Sequence, residues 1–597
     1  MTIISDSRSN TDQLSRPESP PEEPGGRWRT TRLTEAAAVV LPCALLAVGA
    51  YRHRWMADDG LIVTRTVRQL MAGNGPVFNV GERAETNTST LWTYLLAALR
   101  YVLPVDLGLL AVWTGLVCTV LGLLGALLGA RRLIGTAPAG SFALPAGALI
   151  VAVLPPFWDF ATSALESGLV FGWLGLCWYA LTRVPTGGRR AEALAYVVTG
   201  LGWLVRPDLL LISVVWMSWL IWRGRPSWPR LTLLLALAWA VPLAYQVFRM
   251  GYYGLLSPLP AVAKEAGSAD VPRGLAYLQD FADTYYLWLP VLLTRLLAMV
   301  APKGERVREG GGEGALRWMT LAGGVLMTIY VVRVGGDFMH ARMLLPALFT
   351  LLLPTMLVHV RRAGLVLAGG LAAWAATCLV ALRVDAMWNT WGVSNERAWT
   401  QKYTGSAHPD TTAVHIKDQA GFGETFRLAP TDAAPSLQLW FPDAAGGQYR
   451  VPVKLDYPTP VRYAVTQGGL GAVGAAIPLD ALVIDPAGLA YPLGAHAAMG
   501  QRVRAGHEKL VPMEWLVADY AAADAALDKV PGLNPDATAA ARAKLACGEL
   551  QELQQSVRAP MTASRFWENL TGAFQRTVLR YDGQHPNAPA PGCTPLS

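Results

Sequence analysis

Between residues 35 and 384 the chain alternates long apolar runs with short gaps that carry arginine, and no other feature restricts its fold as strongly. A helix of about 20 apolar residues spans the hydrocarbon core of a bilayer, so a soluble enzyme is excluded first. Placed by length, the runs are 35–51, 106–130, 141–157, 165–183, 194–206, 208–222, 231–250, 284–300, 317–334, 344–360 and 364–384. They predict a polytopic α-helical membrane domain over 35–384 with about eleven transmembrane helices. The apolar stretch Leu91–Leu103, at about 13 residues, is too short to cross and reads as an interfacial or re-entrant helix.

Lysine and arginine orient these spans, because cytoplasmic gaps retain positive charge. With the N-terminus inside, the inner gaps hold Arg131 and Arg132, Arg183 with Arg189 and Arg190, Arg223 with Arg225 and Arg230, Lys303 with Arg306 and Arg308, and Arg361 with Arg362. The chain then leaves its last span on the outside. The outer gaps are 52–105, Trp158–Ser163, Arg206–Asp208, 251–283 and Gly335–Arg342, and they collect the unusual polar residues. Chemistry is expected at the outer face of a plasma membrane.

Residues 1–34, rich in Ser, Pro, Glu and Arg, predict a disordered cytoplasmic tail. Residues 385–597 predict a separate periplasmic domain of mixed α/β class, with strands over 437–440, 449–455 and 461–465 and helices over 520–529 and 535–556. This part carries 17 Lys and Arg against 20 Asp and Glu, so the overall charge of +7 belongs to the membrane half. No helix-turn-helix or basic aromatic face accompanies that charge, which argues against a nucleic-acid partner. Cys547 and Cys593 can pair if this domain lies in an oxidising space.

The first outer loop, 52–105, opens with Arg54-Trp55-Met56-Ala57-Asp58-Asp59-Gly60 immediately after a span. Two adjacent carboxylates can raise one another's pKa toward the range of a general base; alternatively, an aspartate here caps the helix that follows. The loop continues through Gly73-Asn74-Gly75-Pro76 and Glu82-Arg83-Ala84-Glu85-Thr86-Asn87 to Trp92. The outer side also carries the cations Arg249, Lys264, His340 and Arg342, the last two beside Asp337. Interfacial snorkelling accounts equally well for a lone basic residue. Tyr252 and Tyr253 suit either sugar stacking or an aromatic belt, and Arg206 and Asp208 suit an ion pair between short helices.

A span followed by an acidic pair, an amphipathic helix, a Gly-Asn-Gly-Pro turn and a polar stretch entering an aromatic helix resembles the first outer loop of GT-C glycosyltransferases, membrane enzymes that use polyprenyl-phosphate sugars. Within that superfamily, five segments resemble the mycobacterial-type terminal β-(1→2)-arabinofuranosyltransferase B family: Asp58–Trp92, Phe160–Leu169, Tyr245–Leu256, Gly335–His340, and Val483–Asp485 leading to Gly488-Leu489. The resemblance implies transfer of D-arabinofuranose from decaprenyl-phosphoryl-arabinose to the ends of cell-wall arabinan, in arabinogalactan and lipoarabinomannan, through terminal β(1→2) bonds. It implies a catalytic role for Asp58 and Asp59. With a polyprenyl phosphate as the leaving group, chemistry assigns donor-side roles to Arg249, Tyr252, Tyr253, Lys264, Asp337, His340 and Arg342, and acceptor or secondary acidic roles to Glu85, Asn87, Asp159 and Glu166.

In the GT-C superfamily the turn bearing Asp159 and Glu166 often helps to bind a metal or acceptor. No ligand set here has diagnostic metal spacing, so no cofactor is assigned and a divalent metal stays open. Glu166 also suits a helix cap. If donor and product are both β, configuration is retained; a single in-line displacement inverts, whereas two carboxylates allow a covalent or front-face route. The alternatives are a mannosyl or aminoarabinosyl transferase of the same superfamily, or a lipid-linked sugar transporter, although no paired repeat is visible. An outer acceptor domain would use aromatic faces, for which Trp440, Tyr449, Tyr457, Tyr463 and Trp515 are available.

Overall fold

The computed structural model describes residues 24–302, 311–384, 387–417, 435–442, 448–466, 469–500, 505–587 and 593. Five helices are each long and apolar enough to cross a membrane: Thr34–Arg52, Leu107–Ile134, Trp228–Tyr253, Gly312–Arg333 and Arg362–Val380. A sixth candidate is the pair Pro155–Thr162 and Ser167–Val205, bent by 108° at its break. Each of the eleven predicted runs is helical over at least part of its length, yet several are short or broken. The run 344–360 is a helix only over Leu345–Leu352 and ends as strand Val358–Val360, antiparallel to Phe142–Leu144. Hydropathy registers apolar length; it does not register where Pro155 or Pro354 ends a helix.

Leu91–Leu103 forms a 13-residue helix, Thr90–Val102, capped by Ser89, whose hydroxyl accepts from the Trp92 N–H. The predicted spans 165–183 and 194–206 belong to Ser167–Gly200, interrupted at Gly188, whose φ of 65° turns the chain beside Arg189 and Arg190. The N-terminal helix runs back to Pro24, shortening the expected tail from its C-terminal end. Residues 1–23 and the cluster Lys303, Arg306 and Arg308 lie outside the described residues.

Helices Leu107–Ile134 and Ser167–Gly200 pack backbone to backbone. A Cβ at Gly175 would stand 1.9 Å from the Gly122 carbonyl oxygen, and one at Gly168 would stand 2.3 Å from that of Gly115. The seven-residue spacing of Gly115, Gly122 and Gly129 against Gly168 and Gly175 is the small-residue seam that brings membrane helices together by dispersion contacts. That seam fixes Glu166, at the start of the second helix, beside the N-terminal half of the first.

The C-terminal region contains a four-stranded sheet in the order Gln448–Lys454, Ser436–Pro442, Tyr463–Thr466, Leu482–Ile484. The first pair is antiparallel and the other two are parallel. Two parallel strands need a crossover, and helix Leu470–Ala476 supplies it between Tyr463–Thr466 and Leu482–Ile484. The other helices include Met513–Tyr520, Pro535–Leu545, Gly548–Arg558 and Ala563–Val578. The predicted helix 520–529 is therefore corrected to Met513–Tyr520. The predicted helix 535–556 is two helices, because Ala546 and Cys547 break it.

Cys547 and Cys593 form a disulfide with a Cα–Cα distance of 5.6 Å. The region is not separate from the membrane half. One face of the crossover helix packs on the sheet and the other on helix Asp58–Met71, so that Ile62 and Phe78 share a core with Tyr463, Val465, Val473 and Val483.

Candidate active site

Ala57 donates to the Ser163 carbonyl at 2.9 Å, and the Trp92 indole donates to the Ala164 carbonyl at 3.1 Å. These bonds tie the turn after Thr162 to the start of the first outer loop. Helix Asp58–Met71 begins at this junction with both aspartates in its first turn, where the helix dipole favours negative charge. The two carboxylates then diverge.

Asp58 turns toward the C-terminal region. Its carboxylate accepts from the backbone N–H groups of Gly471 at 3.0 Å and Ala472 at 2.7 Å, at the positive end of the crossover helix. Burial, and then the charge of Asp59, push its carboxyl above the ordinary value, while the two N–H donors pull it down. Two turns further along the same helix, Arg65 reaches the opposite end of the crossover helix. It donates to the carbonyls of Gly474 at 2.6 Å and Ala481 at 2.7 Å, with Phe78, Ile477 and Pro478 completing the set. Burial draws the guanidinium down to about 9, which leaves it charged at neutral pH.

An acid at the N-terminus and a base at the C-terminus of one helix complement its dipole at both poles. The fit is tight: a Cβ at Gly471 would lie 1.9 Å from the Asp58 carbonyl oxygen.

Asp59 turns into a cavity of about 560 Å³. Asn87, Glu166, Lys264, Arg342 and Leu489 line it with Asp59, so five of the sequence-predicted site residues meet there. The Arg342 guanidinium is 3.9 Å from Asp59 and bonds Asp337 at 2.6 Å through Nε. Burial lowers its pKa, but the charges of Asp337, Glu166 and Asp59 outweigh that and raise it overall. Lys264 has its ammonium 5.6 Å from the centre of the Phe338 ring and makes no ion pair among the described residues. Glu166 occupies the N-cap position of Ser167–Gly200 without a side-chain capping bond, which disposes of the capping alternative. Asn87 is buried, and its Oδ1 has no hydrogen-bond partner. The cavity thus offers two carboxylates, two cations and an amide to a bound molecule.

The other candidates lie elsewhere. Arg249 is buried in a two-bond pair with Glu85, at 2.6 and 3.1 Å, and Tyr245 donates to the same carboxylate at 2.8 Å. The two charges neutralise one another apart from the Asp59 cavity. Tyr253 is buried and donates to the Pro76 carbonyl, and Tyr252 stacks on Phe248, so packing accounts for the pair. His340 and Asp159 line a second cavity, of about 570 Å³, with His53, Arg383 and Arg397. There His340 Nδ1 is 2.6 Å from Asp280, and His53 Nδ1 is 2.7 Å from Asp159. Ala341, with φ 65°, turns the chain between His340 and Arg342, sending the two side chains to different cavities. Arg206 and Asp208 form their ion pair.

Sequence reasoning missed the C-terminal contribution. Leu489 closes one side of the Asp59 cavity, and its backbone N–H donates to Asp485 at 2.7 Å. Burial pushes the Asp485 carboxyl up against the donors around it. The segment Val483–Leu489 was visible as a family block, but its place beside Asp58 depends on the parallel crossover. Of the aromatic residues expected to bind acceptor, Trp515 and Tyr463 are core, Tyr457 stacks on Tyr520, and Tyr449 is exposed. Among the described residues no group of three or more His, Cys, Asp or Glu could hold a metal ion.

Residues 449–580 match the AftB family C-terminal domain. The chain is 35% identical to a terminal β-(1→2)-arabinofuranosyltransferase of Mycobacterium tuberculosis, over 91% of this chain and 95% of the relative. It is 34% identical to one of Corynebacterium glutamicum, over 88% of this chain and 82% of the relative. No solved structure matches it.

Proposed function

The chain belongs to the terminal β-(1→2)-arabinofuranosyltransferase family, and from that premise we propose that it transfers an arabinofuranosyl unit from decaprenyl-phosphoryl-arabinose to the end of an arabinan. The observation that carries the assignment of the site is the convergence of Asp59, Glu166, Arg342, Lys264 and Asn87 on one cavity at the ends of membrane helices. A lipid-borne donor meets its enzyme at that depth, and a polymer acceptor arrives from the aqueous side.

In the reaction, the bond from the anomeric carbon to the phosphate oxygen breaks and its electron pair leaves with the polyprenyl phosphate. Arg342 and Lys264 stabilise the charge that grows there. The acceptor 2-hydroxyl forms the new bond to the anomeric carbon, and its proton passes to Asp59. Asn87 lines the cavity beside them. Glu166 supplies the second carboxylate that a covalent retaining route uses as its nucleophile. Asp58 is a positioning residue: it fastens the crossover helix, and with it Leu489, over the cavity.

The site faces the outside of the plasma membrane in this reading. In support, four of the five gaps predicted to lie outside bond to the C-terminal region or to one another: Asp58 to Gly471, Arg83 to Ser556, Ala57 to Ser163, Leu256 to Thr577, Arg273 to Glu508 and His340 to Ser394. The disulfide on that side suits an oxidising space. Purified chain in nanodiscs with radiolabelled decaprenyl-phosphoryl-arabinose and a synthetic arabinan should form a β(1→2) bond, identified by NMR. A mannosyl or aminoarabinosyl donor used in preference, or label moved without a new glycosidic bond, would overturn the assignment. For sidedness, Lys402→Cys should react with an impermeant thiol reagent in intact cells stripped of their outer barrier, and Arg189→Cys should not.

A further inference from the structure

Helix Ala563–Val578 belongs to the C-terminal region but rests on the end of a membrane helix. Around its axis, at about 100° per residue, four sectors follow one another. Arg565, Asn569, Ala573 and Arg576 are buried inside the region, with Glu552 pairing both arginines. Next come Phe566 and Thr577, which meet the end of span Trp228–Tyr253. A Cβ at Gly251 would lie 2.2 Å from the Phe566 ring, and the Leu256 N–H donates to the Thr577 hydroxyl at 2.8 Å.

The third sector holds Trp567, Phe574 and Val578, which are 64%, 64% and 57% exposed. The fourth holds the exposed polar residues Glu568 and Gln575. The bare apolar stripe therefore adjoins the sector that touches the span, and the polar sector is the one turned away from it. The span itself exposes Leu237, Val241, Leu243 and Val247 along its length, as a helix does toward lipid.

We propose that Ala563–Val578 is an interfacial helix whose Trp567, Phe574 and Val578 lie in the boundary layer of the bilayer, with Glu568 and Gln575 in water. A helix of this kind places its apolar face at the headgroup–acyl boundary, where tryptophan is favoured. The C-terminal region is then held to the lipid surface as well as to the membrane helices.

The test uses the full chain in phosphatidylcholine–phosphatidylglycerol nanodiscs, with Cys43 and Cys118 replaced by alanine and single cysteines placed by Trp567→Cys, Phe574→Cys, Val578→Cys, Glu568→Cys or Gln575→Cys. Nitroxides at 567, 574 and 578 should collide several-fold more with oxygen than with a water-soluble nickel chelate, relative to those at 568 and 575. Water-like accessibility at all five positions overturns the proposal. Low accessibility to both reagents at the first three also overturns it, since a protein surface would then cover the stripe. Should the cysteine chains fail to reconstitute, brominated lipid provides a second measurement: it should quench the wild-type chain more than Trp567→Phe, and equal quenching overturns the proposal.

Discussion

Two cavities of nearly equal size open on either side of the turn that follows Trp158, and they use charge in opposite ways. Around His340 the polar groups are mostly spent on one another: His340 Nδ1 on Asp280, which Asn389 also holds, His53 on Asp159, which Arg397 approaches at 3.7 Å, and Arg383 on backbone carbonyls, with His340 Nε2 left without a partner. Around Asp59 they are only partly spent. Arg342 faces three acids and closes its short bond with just one, Lys264 has a ring instead of a carboxylate, and Asn87 presents an oxygen with no partner. A reacting site needs groups that exchange their present neighbours for substrate at little cost. Groups already paired in a buried setting resist that exchange, because separating them leaves an uncompensated charge.

The comparison can be broken at its strongest point first. Asp59→Asn should cut transfer by about 10²- to 10⁴-fold, the usual worth of a positioned base, with Tm unchanged; full activity would empty the Asp59 cavity of chemistry. Arg342→Ala should weaken use of the lipid donor by roughly tenfold to a hundredfold, since a charge-assisted contact is worth about 1.5–3 kcal/mol, and should leave the acceptor KM in place. Steady-state kinetics with each substrate varied would separate the two effects.

Asp58→Asn keeps the shape of the clamp but removes the charge that accepts two N–H groups. It should lower Tm and reduce kcat less than Asp59→Asn does, and equal losses would return both aspartates to the chemistry. Gly471→Ala, which drives a methyl into the Asp58 carbonyl, should reproduce the Tm loss with both carboxylates present. His340→Gln should change transfer least. A loss matching that of Arg342→Ala would show that the second cavity takes part in catalysis.

The membrane class, the short helix after Ser89 and most strands of the C-terminal sheet were legible in the sequence, because apolar length and alternation report directly on burial. The acidic pair was legible too. Its division of labour was not: adjacent residues on a helix point about 100° apart, and only the crossover helix decides which of the two meets a backbone and which meets a cavity. His340 and Arg342 read as one cluster from their spacing, and a left-handed Ala341 separates them. Arg249 read as a free cation, since its partner Glu85 lies 164 positions away. Long-range pairing of this kind leaves no local periodicity to detect.

The clamp on helix Leu470–Ala476 also sets a timetable for biosynthesis. Arg65 and the carbonyl of Gly474 are 409 positions apart, so at about 5–20 residues per second the first outer loop is made roughly 20 to 80 s before its partner. Until then Asp58 and Arg65 have no helix poles to hold, and Leu489 is absent from the cavity wall. A ribosome stalled before the crossover would leave a membrane-inserted chain with an unfinished site. A chain cut before the crossover helix should therefore lack transfer activity, because Asp58, Arg65 and Leu489 have not yet been brought together.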